Sequence, residues 1–530
     1  MKRYPRRNQK NIKQAILNPL KEACGRVSLG TYSFDQDNAQ KELGKMIILH
    51  EYPLSMVEHI GFRRFTNTLQ PLFKNVSCNT IKNDSLKMYD YDKLKVMSLV
   101  ERNNSKITVT TDMWTSNQNK GFMAITACFI DDAWRLQSRI MRFIYVPCLH
   151  TSEALSISLM DCLLDWNIDR KLSTLTVDNF TTNDAMINIL LDKLSGSSLL
   201  LNGMRCCAHI LNLMVKDGLE IISSSVEKIR DIVAYWTTTT KRLEKFETSE
   251  RQLKISCSKK LALDCKTRWN STYLMLHSAL QNICGTKYPT SNLYFSNICE
   301  IKFSIYDWMK SPYDEIRMMA SSMIEKFEKY WSEIRGILAV ANVLDPRFKI
   351  KLVEYYFPMI YGNEFSDLEI QNVRRFCQKL LNEYKIKHGS SGNMTESSNG
   401  TKIITNMSKK DRLAQFDLFV SNTTSIDAMK SELDTFLDES VLPRLIDFDI
   451  LGWWNTNSIK YPLLVKVSRD ILAIPVSTLV SESTISTSGK FVSPHRNMLH
   501  PKTLKPLMCA QDWLWSDIHG TINITIYVFL

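Results

Sequence analysis

An α/β fold, in which a mixed β-sheet is interrupted by a large all-α insertion, is predicted by three observations. Strand-like runs follow one another at residues 107–116, 121–131 and 135–146, with only short polar joints between them. A strongly periodic helix then separates them from a fourth run, Leu172 to Asp178, which again ends in an acid. From residue 216 to about 385 the apolar period is helical throughout, too long a stretch to belong to the same sheet.

Composition bounds the rest. The 530 residues are 44% hydrophobic and 23% charged, enough for large cores and several domains. Lys and Arg outnumber Asp and Glu by 67 to 55, a net of +12 that favours an anionic partner. The 13 cysteines include no CxxC pair, which argues against a disulfide scaffold or a finger built on paired cysteines; no structural zinc is expected, and a reducing compartment fits best. The opening MKRYPRRNQK is basic and lacks the apolar core of a signal peptide, so a cytosolic or nuclear protein is expected. Lys2, Arg3, Arg6 and Arg7 suit either a nuclear-localisation signal or phosphate contacts. The final TINITIYVFL is apolar but only about half the ~20 residues a membrane helix needs, so no transmembrane span is expected.

Taken in order, residues 40–100 read as largely helical, with Leu49, Met56, Ile60 and Phe65 as apolar positions. In ITVTTDMWTS, Ile107, Val109 and Thr111 alternate with Thr108 and Thr110, the period of a strand, and lead to Asp112. A buried strand-end carboxylate costs several kcal/mol to desolvate unless a cation or hydrogen bonds meet it. The next two runs join around Asp131 and Asp132, which predicts an antiparallel meander. Ser152 is expected to cap a helix through Trp166 with Leu155, Leu159 and Leu163 on one side. The run ending at Asp178 must then return by a crossover, parallel to the first, and meet a polar turn from Asn179 to Asn183. Strand, strand, strand, helix, strand, helix is the order of the ribonuclease H-like fold. Its first and fourth strands lie side by side, so Asp112 and Asp178 are expected to be neighbours. Two adjacent carboxylates repel, and a divalent metal relieves them. Two hard cations about 3.5–4 Å apart can activate water and stabilise a leaving oxygen in phosphodiester cleavage.

Other constellations are open to more than one role. Glu482, in Ser481-Glu482-Ser483, lies in a short helix expected after Pro475 and a Ser477 cap, with Leu479 and Ile485 inward; it either completes a metal cage or is a surface acid near a helix start. Cys206 and His209 form a CxxH pair without a second pair nearby, which favours a packed cysteine and a hydrogen-bonded histidine over a zinc site. Lys266, Arg268 and Trp269 offer cations for phosphate and an indole for stacking on an extruded base, although a core tryptophan fits nearly as well. Ile316, Met319, Met323, Phe327, Tyr330 and Ile334 form a helical stripe expected to close around Gly336. Residues 388–401 read as a flexible polar loop, and 425–440 as a helix with Met429, Leu433 and Phe436 inward. Trp453, Trp454 and the helix from Tyr461 add an apolar surplus that predicts a subunit interface.

TTDMWTS, TVDNFTTND, RCCAHILNLMVKDGL, LDCKTRWNSTYLML, VLDPRFK and SESTISTSGKFVSPHRNMLHPKTLKPLMCAQDWL together resemble the hAT transposase superfamily, most nearly its plant zinc finger BED domain-containing RICESLEEPER and DAYSLEEPER branch. The resemblance covers roughly residues 40–515. It implies a ribonuclease H-like core interrupted by a helical insertion, with a C-terminal hAT dimerisation region completing the core. It further implies Asp112, Asp178 and Glu482 as the catalytic and metal-binding acids, Mg²⁺ or Mn²⁺ as cofactor if the protein is catalytic, a structural or positioning role for Cys206 and His209, and DNA contact by the Trp269 segment. The domains expected are a basic N-terminal region and helical segment (1–104), the first part of the core (105–215), the insertion (216–420), the C-terminal dimerisation region (421–515) and a divergent tail (516–530). Two departures stand out. Only Cys24, Cys78, His50 and His59 precede the core, at no finger spacing, and Pro506 interrupts the last matching helix, which puts its stability and dimerisation in question. The expected protein is a nuclear DNA-binding homodimer or higher oligomer derived from a transposase, regulatory and with weak or no strand cutting, and with no membrane or small-molecule partner. The alternative is an active Mg²⁺-dependent transposase.

Overall fold

The computed structural model describes residues 17–21, 27–31, 34–115, 121–146, 151–179, 181–194, 204–252, 289–389, 431–445, 448–477 and 501–521. The chain divides into two compact units, residues 1–94 with 487–530, and residues 95–486.

The first unit begins with a hairpin of β1 (Leu17–Lys21) and β2 (Val27–Thr31). It continues through helices α1 (Gln36–Leu49), α2 (Ile60–Leu69) and α3 (Cys78–Arg102), the last of which runs on into the second unit. The helical reading of residues 40–100 is thus observed as three helices. Asp35 caps α1, accepting from the amides of Asp37 and Asn38. Leu43, Ile47, Leu54, Val57 and Ile81 form a small core. The C-terminal helix of this unit, Pro501–Thr521, runs without a break through Pro506. Proline removes one backbone donor, and here it does so near the start of a long helix whose later turns are well anchored. Gln511 Nε2 donates to the Leu49 carbonyl at 3.1 Å, and the Trp513 ring stacks on Tyr89 at 5.3 Å. The expected interruption is therefore corrected: tertiary packing holds the helix, and it continues past residue 515 into the stretch read as a divergent tail.

The second unit is built on a five-stranded mixed sheet. Its strands are β3 (Ile107–Thr115), β4 (Gly121–Ile130), β5 (Leu136–Val146), β6 (Leu172–Val177) and β7 (Met204–Arg205), in the spatial order β5-β4-β3-β6-β7. The first three pair antiparallel and β6 and β7 add in parallel, as the ribonuclease H-like order requires. Every residue of β4 and of β6 is buried, so both faces of the sheet centre are covered. Asp131 shapes the β4–β5 turn by accepting from the amides of Ala133 and Arg135 and from the Gln137 side chain. The crossover helix α4 (Ser152–Asp165) is capped by Thr151, whose hydroxyl accepts from the Ala154 amide; the cap lies one residue before the Ser152 expected. After β6, helix α5 (Thr181–Lys193) takes in Asn183, where a turn was expected.

Most of the remaining described residues of this unit are helical: α6 (Cys207–Ile221), α7 (Ser223–Thr237), α8 (Thr240–Gln252), α9 (Ser291–Trp308), α10 (Asp314–Val343), α11 (Lys351–Tyr361), α12 (Asn363–Gly389), α13 (Glu432–Asp438), α14 (Ile450–Thr456) and α15 (Leu464–Leu472). Helix α10 buries Met323, Phe327 and Tyr330 as its stripe predicts, but continues through Gly336 to Val343 because Leu338, Ala339 and Val340 are packed in the same core. Helix α13 is capped by a capping box formed by Ser431 and Asp434 and turns Leu433 and Phe436 inward; Met429 lies outside the described residues. The expected interface at Trp453–Trp454 is also corrected. Trp454 is fully buried, donates Nε1–H to the Leu344 carbonyl at 3.0 Å, and packs with Phe436 and Tyr461, while Trp453 is partly buried against the same cluster. Leu464, Val467, Ile471 and Leu472 of α15 join that core. Trp454 and the apolar face of α15 therefore pack in the protein's own interior, while Trp453 stays partly exposed.

Candidate functional site

Strand β3 pairs with β6 in parallel, and the last paired residues are Thr110 and Thr176. Two residues further along each chain stand Asp112 and Asp178. The register thus brings both acids to one end of the sheet, Asp112 within β3 and Asp178 one residue past the end of β6. Asp112 is 8% exposed and its Oδ1 accepts from the Met113 amide at 2.9 Å. The Asp178 carboxylate accepts from the side-chain amide of Asn183, a buried residue in the first turn of α5. Its backbone carbonyl accepts from Arg205 Nη1 at 3.1 Å, and the same guanidinium pairs with Asp184. Asn179 stands beside these groups, and among the described residues neither atom of its amide has a hydrogen-bond partner.

The CxxH pair begins the adjacent helix. Cys206 is fully buried at the N-cap of α6, and its amide donates to the Val177 carbonyl at 2.7 Å, tying the helix to the end of β6. Burial lowers the pKa of His209, and the negative charge of Asp178 opposes that shift. Burial also pushes the neighbouring Cys207 thiol well up, as suits a packing group rather than a thiolate ligand. Cys206 and His209 are thus placed where the acid-bearing strand meets its flanking helix.

The C-terminal segment reaches the same strand. Thr176 Oγ1 donates to the Pro475 carbonyl at 3.3 Å, and the Cys207 amide donates to the Val476 carbonyl at 2.9 Å. Glu482, Lys266, Arg268 and Trp269 lie outside the described residues. Among the described residues no group of three or more His, Cys, Asp or Glu is placed to hold a metal ion. Asp112 and Asp178 supply carboxylate oxygens, the donor type that Mg²⁺ and Mn²⁺ favour, so these two residues fit a hard cation as far as they go. Sequence reasoning missed Asn183 and Arg205. Both stand inside motifs it had singled out, TVDNFTTND and RCCAHILNL, but neither spacing shows that its side chain turns back onto Asp178.

Four family descriptions match the chain in order. They are "ZBED1 RNase-like domain" over residues 110–205, "ZBED1 RNase-like helical domain" over 204–284, "hAT-like transposase, RNase-H fold" over 292–384 and "hAT family C-terminal dimerisation region" over 432–514. The putative AC transposase of Zea mays is 34% identical over 545 residues, covering 92% of this chain and 66% of that protein. Zinc finger BED domain-containing protein RICESLEEPER 2 of Oryza sativa subsp. japonica is 33% identical over 560 residues, 94% of this chain and 77% of that protein. DAYSLEEPER of Arabidopsis thaliana, also named a zinc finger BED domain-containing protein, is 31% identical over 528 residues, 91% and 74% of the two chains. The chain therefore spans slightly under two thirds of the AC transposase's length. No helix among the described residues is long and apolar enough to cross a membrane. With an α/β core of ribonuclease H-like topology, a helical insertion and a C-terminal dimerisation region all matched, the chain belongs to the hAT transposase family.

Proposed function

We propose that this is a nuclear DNA-binding protein of transposase descent that acts as a homodimer or higher oligomer, with regulation at its DNA site as its main output and strand cutting weak or absent. The positive balance of 67 basic against 55 acidic residues supports an anionic partner, and the family match supports DNA as that partner. The C-terminal dimerisation region supports self-association. The observation that carries the weak-cutting part is Arg205. Its guanidinium donates to the Asp178 carbonyl and pairs with Asp184, so a fixed ion pair stands at the strand end that a divalent ion would enter. The same cation suits a DNA phosphate.

A second reading, an active Mg²⁺-dependent transposase, is favoured by the Thr110–Thr176 register that aligns Asp112 with Asp178. Those two carboxylates, with Glu482 as a third, would hold the ions, which supply an activated water and stabilise the leaving oxygen of a phosphodiester. One experiment separates the readings: binding to duplex DNA across a salt series, with strand nicking assayed in Mg²⁺ and in Mn²⁺. Salt-sensitive binding with little nicking is expected. Robust metal-dependent nicking, lost alike in Asp112→Asn, Asp178→Asn and Glu482→Gln, would replace the regulatory reading with the transposase.

A further inference from the structure

Helix α15 carries an adjacent Arg and Asp that face different parts of the second unit. Arg469 Nε donates to the Ile130 carbonyl at 2.9 Å, at the end of β4; its Nη2 donates to Asp132 Oδ1 at 2.7 Å and reaches Asn103 Oδ1 at 3.3 Å. Asp470 is 4% exposed; its Oδ1 accepts from the Lys106 amide at 2.9 Å, one residue before β3, and its Oδ2 from the Tyr384 hydroxyl at 2.5 Å, on α12. Two consecutive side chains thus join the start of β3, the end of β4 and helix α12. A few residues on, Pro475 and Val476 receive the hydrogen bonds of Thr176 and Cys207 beside Asp178.

We infer that Arg469 and Asp470 are positioning residues, forming the joint through which the C-terminal dimerisation region fixes the end of the sheet that carries Asp178. The argument is one of constraint. Between Asp470 and Val476 the chain has only five residues, and it is held at one end to the start of β3 and at the other to the junction of β6 and α6. Rotation or slippage of α15 at the joint must therefore displace the Val476 carbonyl from the Cys207 amide. Buried charge-assisted hydrogen bonds resist such displacement more strongly than apolar contacts, which tolerate sliding. The functional weight of this joint rests on the proposed reading of the Asp112–Asp178 end of the sheet, but its mechanical role does not.

Residue-resolved amide hydrogen exchange on the full chain tests it. Arg469→Ala and Asp470→Ala are expected to speed exchange at Cys207 at least tenfold, with Asp470→Asn restoring part of the protection because its carbonyl still accepts one bond. Phe436→Leu, a core change that removes none of the joint's hydrogen bonds, serves as the control and is compared at equal loss of thermal stability. Should an alanine variant fail to fold, Tyr384→Phe and Asp132→Ala each remove one arm of the joint and are expected to produce a smaller acceleration at the same amide. Exchange at Cys207 that is unchanged in folded variants, or that rises equally in Phe436→Leu, would overturn the inference. Failure of DNA binding in the wild type would instead count against the proposed function and leave this measurement intact.

Discussion

Thr110 and Thr176 sit opposite each other in the parallel ladder between β3 and β6, and each stands two residues before an aspartate. If Asp112 and Asp178 share a cation, removing either charge should weaken it. Titration of Mn²⁺ into the protein, followed by paramagnetic resonance, is expected to show each Asp→Asn change lowering affinity by tenfold or more, about 1.4 kcal/mol. Equal affinity in both variants and the wild type would mean that the ion binds elsewhere.

Asp470 gives a pH dependence with a definite sign. Burial raises its pKa from 3.8 to about 6, against the opposing pull of Tyr384, the Lys106 amide and the Lys106 and Arg469 charges. A carboxyl whose pKa is raised by folding contributes stability that is complete below its unfolded value and lost as pH rises through its folded value. From pH 4 to pH 6 this contribution should fall by about 2 kcal/mol. Urea melts at a series of pH values should find Asp470→Asn gaining on the wild type across that window and running parallel to it above. A constant difference would contradict the assignment.

Trp454 is expected to matter for stability and not for association. Its burial and its bond to the Leu344 carbonyl place it among the large core residues, for which truncation to alanine removes about 3–5 kcal/mol. Sedimentation of a folded, milder variant such as Trp454→Phe should give the same oligomeric state as the wild type. Dissociation of that variant into monomers would return the tryptophan pair to an interface.

Lys171 Nζ donates to the carbonyls of Val100, Glu101 and Asn103 at 2.8–3.0 Å, capping the C-terminal end of α3 with a positive charge. Lys171→Met keeps the aliphatic stem and removes the donors. A loss of about 1–2 kcal/mol is expected in thermal or urea melts, smaller at high salt to the extent that charge rather than hydrogen bonding contributes. A neutral effect would show that solvent satisfies those carbonyls equally well.

The sheet was legible in the sequence because its signals are local: alternation in β3, short joints in the meander, and an acid toward the C-terminal end of both β3 and β6. What escaped was set at long range. Nothing in the periodicity around Gly336 reveals that Leu338 to Val340 face a core, and Pro506 looks like a breaker until Tyr89 and Leu49 are seen to anchor the turns that follow it. The tryptophan pair misled for a related reason. An apolar surplus in the sequence does not say whether it meets another subunit or residues such as Leu344 and Phe436 far away in the same chain. At the site, Asn183 and Arg205 were within reach of the motifs, but their turn back onto Asp178 depends on how α5 and β7 leave the sheet.

The hydrogen bond from Gln511 to Leu49 joins residues 462 positions apart, so the first compact unit is assembled from the two sides of the second. During synthesis at about 5–20 residues per second, Leu49 waits roughly 20–90 s for its partner to be made. Over that interval α1 and Tyr89 lack the helix that covers them, while the sheet bearing Asp112 and Asp178 already has its strands. A ribosome that stops before residue 501 would release a chain able to form the acid-bearing sheet but unable to close its first unit, and chaperones and proteases would meet that chain as an unfinished surface.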